Sequence, residues 1–498
     1  MDDSEIGEFA YDYVELARGA KPADELDDIP HGHDSEYYFP EGEPSYQRAS
    51  TKPTTMGDNT PSISISPVAT AVSAPGKVLL AGGYTVLDAS CRGLVFALSA
   101  RIHSVACPTT SSNDKDGKII VRSPQFANAV WEYQTAILED GKGVDVVQTN
   151  NNDPNPFILT TLKYALSYLS LPSIPSTTIT ILASNSYYSQ PPPPIPRFNS
   201  LSVPINKANK TGLGSSAALV TSLTACLLHH FQHQNKAVES YVIHNLSQTS
   251  HSAAQGKVGS GFDVAAATYG SHEYQRFSPS LLSSLPEPNT PSFTTALQSL
   301  ATKKWEMEVH KVTLPPGIGL VMGDVQCGSS TPGMVKKVLS WRKDAGEAGD
   351  ELWKRLDGRN RALIQKFNTF NDGGKVNDLR EKIADIRESV RELGKNAGVE
   401  IEPESQTRLI DGVVGGVEGV IGGVVPGAGG YDAVCFLYDD SVKGGREKLE
   451  KFLEGYKLDD EGGFVKVLEA GLEGEGVRKE EVGEYADVKH YFDGILDI

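Results

Sequence analysis

The chain has 498 residues, 39% of them hydrophobic and 22% charged, with a formal net charge of −18; that length permits two or three domains with a substantial core. The acidic balance argues against nucleic acid or an anionic membrane as partner, because phosphates are held by clustered Lys and Arg. No apolar run approaches the roughly eighteen residues of a membrane-spanning helix, and the acidic start MDDSEIGEFA lacks the order of a secretory signal, so a cytosolic protein is expected.

The charge is uneven along the chain. Residues 1–50 carry fourteen Asp and Glu against Arg18, Lys21 and Arg48, so they hold −11 of the −18. Residues 1–67 are also poor in aliphatic side chains and show no sustained hydrophobic period, which is the composition of a disordered acidic extension. Next come ISPVATAVSAPGKVLLAGGYTVL (65–87) and GLVFALSARIHSVACP (93–108), both β-rich with turn residues between them. STTITILAS (176–184) alternates as a half-buried strand should. SYYSQPPPPIPRFNS (186–200), with four consecutive prolines, predicts an extended, exposed loop.

Helices then enter. SSAALVTSLTACLLHHF (215–231) sets Ala218, Leu219, Ser222, Cys226 and His229 along one side, while Leu223, Leu227 and Leu228 widen the apolar surface into that of a buried helix. In KVNDLREKIADIRESVRELGKNAG (375–398), Leu379, Ile383, Ile386, Val390 and Leu393 recur every three or four residues, and Gly398 is a stop signal. YDAVCFLYDD (431–440) reads as a strand and REKLEKFLEGY as a helix after it. Strands and helices interleave without the beat of a doubly wound sheet, so the expected class is α+β in two halves. Cys91, Cys107, Cys226, Cys327 and Cys435 are scattered with no CxxC pair and read as free thiols. His229, His230 and His233 have no carboxylate or cysteine at ligand spacing and read as a polar helix end rather than a metal site.

One short stretch carries chemistry. KTGLGSSAALV (210–220) places Gly212, Gly214, Ser215 and Ser216 where a helix begins. There the backbone N–H groups are unpaired, the helix dipole is positive and glycine lets a phosphate approach, so the stretch can cradle an anion. Taken alone, it is equally a glycine-rich helix entry with serine caps. A Walker A string is absent, and a dinucleotide fingerprint forced onto Gly212, Gly214 and Ala217 lacks the buried strand that should precede it, since PINKANKT stands there. Three further stretches are glycine-broken in the same manner: SAPGKVLLAGGYTVLD (73–88) around Lys77, QGKVGSGFDVAAATYG (255–270) around Asp263, and VVPGAGGYDAV (424–434).

Together and in this order, these segments resemble the signature motifs of the galactokinase, homoserine kinase, mevalonate kinase and phosphomevalonate kinase superfamily, over residues 70 to about 440. Gly82-Gly83-Tyr84, where mevalonate kinase and galactokinase relatives usually have Gly-Glu-His, and GDVQCGSSTPGMVKKVLSW (323–341) are similar to the fungal-type phosphomevalonate kinase subfamily in particular. The resemblance implies a ribosomal-S5-like N-terminal domain over 68–275, a ferredoxin-like C-terminal domain over 276–498, and an ATP site in the cleft between them. It implies transfer of the γ-phosphoryl group of ATP, with Mg2+, to phosphomevalonate.

The carry-over by residue is as follows. Lys210, Gly212, Leu213, Gly214, Ser215, Ser216 and Ala217 would hold the nucleotide, with Ser216 also on the metal. Lys77 and Asp263 would be catalytic. Lys207, Ser330, Thr331, Gly427, Ala428, Gly429 and Gly430 would meet the acceptor. Surface charge for the lysines, a turn for Ser330 and Thr331, and a helix cap for Asp263 are the plainer readings of the same residues. Another superfamily member or a non-catalytic nucleotide-binding relative is the alternative function. A monomer or weak homodimer is the expected assembly.

Overall fold

In the computed structural model, the described residues are 69–109, 117–232, 237–325, 331–370, 374–457, 465–492 and 494–496, without the side chains of residues 331 and 332. The acidic extension, His233, Cys327 and Ser330 lie outside them, as does the side chain of Thr331.

The first strand, β1 (Thr70–Ala81), and the long β2 (Gly93–Pro108) pair antiparallel along most of their length. Beyond β2 lie β6 (Thr177–Ala183), β3 (Lys118–Arg122), β4 (Val130–Leu138) and β5 (Gly143–Gln148), and only the β3–β6 pairing is parallel among these. The start of β2 also takes β7 (His272–Gln275), which pairs with β8 (Glu308–Lys311). From the far end of the chain, β13 (Leu472–Glu473) joins β2 and β14 (Arg478–Glu480) joins β1, making ten strands among the described residues. A second sheet has the order β10 (Val420–Val424), β11 (Ala433–Asp439), β9 (Ile318–Val325), β12 (Val465–Leu468). Pro67–Ile498 forms one compact unit. The cut between residues 275 and 276 is a sequence expectation; the backbone shows the first sheet drawing β8, β13 and β14 from beyond it.

The helices follow local rules. α1 (Pro156–Leu169) starts with Asn155, whose side chain accepts from the amides of Phe157 and Ile158 at 3.1 and 3.3 Å, and with Pro156 in the first turn. α2 (Ser215–Phe231) matches the expected span and is apolar nearly all round, because it packs against β1, β2 and α1 at once. α3 (Ser240–Gln255) and α4 (Phe262–Tyr269) close that side. After α5 (Phe293–Thr302), α6 (Thr331–Ala345), α7 (Glu347–Asn368) and α8 (Val376–Ala397) cover the second sheet's inner face. Leu379, Ile383, Ile386 and Leu393 are buried along α8, and Gly398 ends it at φ 62°. α9 (Glu404–Gly416) and α10 (Gly445–Gly455) pack on the opposite face.

Three expectations change in detail. The alternation of β6 predicts one wet face, yet all seven residues are buried. Ile179, Ile181 and Ala183 enter the main core, while Leu182 meets Phe198, Tyr485 and Phe492 from a C-terminal turn that covers the other side. His230 is buried instead of ending the helix in solvent, and its Nδ1 lies 3.2 Å from Thr70 Oγ1. The proline loop exposes Pro191–Pro194 as expected, but it is tied down: Ser189 Oγ donates to Asp324 at 2.9 Å, Lys466 donates to the Gln190 carbonyl, and Phe198 is buried.

Candidate active site

The loop before α2 is held by Lys77. Its backbone N–H donates to the Leu213 carbonyl at 2.9 Å, and its ammonium donates to the Gly212 carbonyl at 2.8 Å. Lys77 follows a register irregularity in β1 at Pro75–Gly76, which frees its amide from the ladder with β2. Across a trans peptide the C=O and the next N–H point in opposite directions. The carbonyls of Gly212 and Leu213 face Lys77, so the amides of Leu213 and Gly214 face away from it, as in an anion nest.

Glycine is required twice here. Gly212 has φ +77°, with nothing within 4 Å of where a Cβ would sit, so the turn is open. Gly214 is the N-cap of α2 at φ 80°, and a Cβ there would stand 3.1 Å from Lys77 Cε. The loop residues and the lysine stem are therefore packed directly on one another.

Ser216, in the first turn of α2, has a partner behind it. Ser216 Oγ lies 3.0 Å from His251 Nε2 on α3. Burial pushes the pKa of the Tyr188 phenol up to about 12, and Ser215 acts against that rise. Burial holds the His251 pKa below the usual imidazole value, with the charge of Asp263 acting against it.

Asp263 sits in the first turn of α4, after Gly261 at φ 82°, and its carboxylate accepts from the Val264 amide at 3.0 Å. The cap reading does not hold, since the N-cap is Gly261 and Asp263 stands inside the first turn, bonded among the described residues only to the amide of the next residue. The carboxylate is close enough to Lys77 to be felt: burial lowers the lysine pKa, and the Asp263 charge raises it in part. The Lys77 ammonium stands 5.7 Å from the centre of the neighbouring Phe262 ring. Lys77 thus touches the Gly212–Leu213 turn and lies beside the first turn of α4.

The loop leading to Asp263 is braced through its carbonyls. Ser252 Oγ donates to Val258 O at 3.1 Å, Tyr274 Oη to Ser260 O at 2.8 Å, and the Arg276 guanidinium to Gly259 O. Arg276 also donates to Leu87 O at 2.7 Å, linking this loop to the turn after β1.

The other expected residues divide. Lys207, at the end of the turn Ile205–Lys207, and Lys210, bridged to Tyr188, are exposed beside the loop. The glycines near residue 427 lie against the Gly82–Tyr84 turn: Tyr84 Oη donates to Ala428 O at 2.6 Å, and a Cβ on Gly83 would stand 2.6 Å from Gly427 O. Gly429, at φ +80°, would put a Cβ 2.1 Å from Ile401 O, and the Gly430 amide donates to that carbonyl at 2.9 Å. The glycine at 429 therefore has a packing cause already, whereas Gly427 is open on its Cβ side.

Comparison with known proteins agrees. A family model for the GHMP kinases N terminal domain matches residues 196–271, a span that contains the Gly212–Ser216 loop and Asp263. The phosphomevalonate kinase of Gibberella zeae is 46% identical over 439 residues, covering 84% of this chain and 98% of its own. That of Aspergillus fumigatus is 41% identical over 486 residues, covering 85% and 99%. The chain belongs to the phosphomevalonate kinase family. Among solved structures, the Lin0012 protein of Listeria innocua aligns with a TM-score of 0.61 at 19% identity, covering 83% of this chain and 99% of its own. Streptococcus pneumoniae phosphomevalonate kinase, in complex with phosphomevalonate and AMPPNP, aligns at 0.56 and 16% identity, covering 81% and 99%. At such identities these two support the kinase fold alone.

The motifs that mark the family did not point to Tyr188, His251 or Arg276. A lone histidine on a helix and a tyrosine before a proline run are ordinary core residues in a sequence. Their significance lies in what they touch.

Proposed function

We propose that this member of the phosphomevalonate kinase family transfers the γ-phosphoryl group of ATP to the phosphate of (R)-5-phosphomevalonate, giving 5-diphosphomevalonate and ADP. The observation that carries the reading is the grip of Lys77 on the Gly212–Leu213 carbonyls, with the Asp263 charge acting on the same ammonium. In phosphoryl transfer the protein supplies position and charge compensation more than covalent chemistry. The outward amides of Leu213 and Gly214 and the first turn of α2 would cradle the terminal phosphates, while Lys77 would hold the loop in that direction from behind and add its positive charge to the field at the site. Lys207 and Lys210 would offset the charge that two phosphorylated ligands bring to a mildly acidic body.

Ser216 and Asp263 are hard oxygen donors, and among the described residues no cluster of three His, Cys, Asp or Glu forms a protein cage. That donor set fits Mg2+, which keeps several waters and substrate phosphates as ligands. When bound, the ion screens the charge of the transferring group. Ser216 would hold it, and Asp263 would orient it together with Lys77. The acceptor phosphate, with a second pKa near 6, is largely dianionic at neutral pH, so no base is needed to make it a nucleophile.

The test is an acceptor panel on the full chain, read as ADP release: phosphomevalonate, mevalonate, diphosphomevalonate, galactose and homoserine. Phosphomevalonate is expected to exceed every other acceptor by more than about a hundredfold in kcat/KM: mevalonate, galactose and homoserine leave the phosphate-binding groups unpaired, and diphosphomevalonate is larger by one phosphoryl group than the acceptor the site is built for. Comparable turnover of an alcohol acceptor overturns the assignment.

A further inference from the structure

The hydroxyl assigned to the metal has a buried imidazole at its back. His251, in the last turns of α3, is 3% exposed, and its ring lies 5.5 Å from that of Phe157 at 31°. Its Nε2 is 3.0 Å from Ser216 Oγ and 3.2 Å from the side-chain nitrogen of Gln255. A carboxamide nitrogen only donates, so the ring nitrogen facing Gln255 accepts, and the neutral imidazole carries its proton on Nδ1. Nε2 then has no hydrogen for Ser216 to accept, and its single lone pair is shared by the two donors, with the serine the nearer. The serine must donate, and a serine hydroxyl has one hydrogen.

We propose that His251 is a positioning residue that takes the Ser216 hydroxyl proton in a hydrogen bond, turning both lone pairs of Oγ away from α3 and towards the phosphate-loop side. A hydroxyl free to rotate would present its hydrogen to a cation part of the time and repel it. With the hydrogen captured, the oxygen is a fixed donor for a hard divalent ion. Ser215 is not tied in the same way: the group it acts on is a neutral phenol, which can donate as well as accept, so the direction of the Ser215 hydrogen is not set. The inference rests on Ser216 being the metal-holding serine, and it adds the reason that this serine and not its neighbour is suited to the task.

The experiment measures equilibrium binding of a non-hydrolysable ATP analogue by calorimetry, without Mg2+ and across a Mg2+ titration. The proteins are the full chain, Ser216→Ala, His251→Phe and the double variant. Partners behind a metal ligand typically set affinity by ten- to a hundredfold. Each single variant is therefore expected to raise the Mg2+ midpoint by about tenfold or more, the double variant is expected to raise it no further, and Mg2+-free affinity is expected to stay unchanged in His251→Phe, whose side chain lies behind the serine and away from the nucleotide. His251→Gln, which keeps an acceptor oxygen, is expected to hold the wild-type midpoint and guards against a folding defect in His251→Phe.

If Ser216→Ala shifts the midpoint and His251→Phe does not, the positioning role is wrong and the metal assignment survives. If Ser216→Ala itself leaves the midpoint in place, both fall. Additive shifts in the double variant, loss of Mg2+-free affinity in His251→Phe, or a His251→Gln midpoint displaced as far as that of His251→Phe would each overturn the role as well.

Discussion

Lys77 is the residue on which the site turns, because one side chain serves two ends. Its amide and ammonium fix the direction of the phosphate loop, and its charge, destabilised by burial, is upheld in part by Asp263. Replacing Lys77 by Met removes the cation and the clasp on Gly212 together. Replacing Asp263 by Asn removes a charge but keeps an oxygen that can accept from the Val264 amide. Lys77→Met is therefore expected to cost at least about tenfold more in kcat than Asp263→Asn, the reverse of what a general base would give. The pH dependence has a definite sign. Asp263 raises the Lys77 pKa, so removing its charge lets that pKa fall further below the ordinary lysine value. The alkaline limb of kcat/KM should then begin at lower pH in Asp263→Asn than in the parent. A limb that stays in place, or moves up, contradicts the coupling.

At the scale of elements, the second glycine loop explains how two distant motifs come to share a site. Gly427 and Ala428 lie on the Gly82–Tyr84 turn, while Gly429 and Gly430 close on Ile401 after α8. The glycines are not equivalent. An alanine at 427 meets open space and suffers only the left-handed backbone, about 1–2 kcal/mol. An alanine at 429 bears the same strain and also strikes the Ile401 carbonyl. Urea denaturation should rank Gly429→Ala clearly below Gly427→Ala in stability; equal values would mean that the loop relaxes without cost. The glycine pattern in VVPGAGGYDAV marked the loop as special, but the same pattern serves packing and ligand approach alike. Only its neighbours show how much of it is packing.

The whole molecule depends on a chain end that returns to its beginning. Residues 470–496 supply β13 and β14 to the first sheet and cover the outer face of β2 and β6 with Tyr485, Val488 and Phe492. The Tyr485 hydroxyl lies 3.0 Å from His103 Nδ1, and its ring meets those of His103 and Phe492 edge-on. Tyr485→Ala is expected to destabilise by about 3–5 kcal/mol, the range for a buried aromatic. Tyr485→Phe, which only orphans a buried polar partner, is expected to cost about 1–3 kcal/mol. Chemical denaturation of the two variants against the parent checks both, and a silent Tyr485→Ala would show that this covering is dispensable.

The local signals in this chain were strong wherever structure has a period or a required backbone. The helix over 215–231, the stripe from Leu379 to Leu393 with its Gly398 stop, the strand over 93–108 and the order of the glycine-broken loops all follow from neighbours in sequence, and the loop order sufficed to indicate the family. Relations across large separations were not legible. Ser216 and His251, 35 positions apart, and His103 and Tyr485, 382 positions apart, are brought together by packing alone. The alternation of β6 similarly says which residues share a face, but not that a C-terminal turn will cover the polar one. Periodicity reports how a segment is built, whereas burial and hydrogen-bond partners depend on what the rest of the chain brings to it, and here that decided which serine is backed by an acceptor.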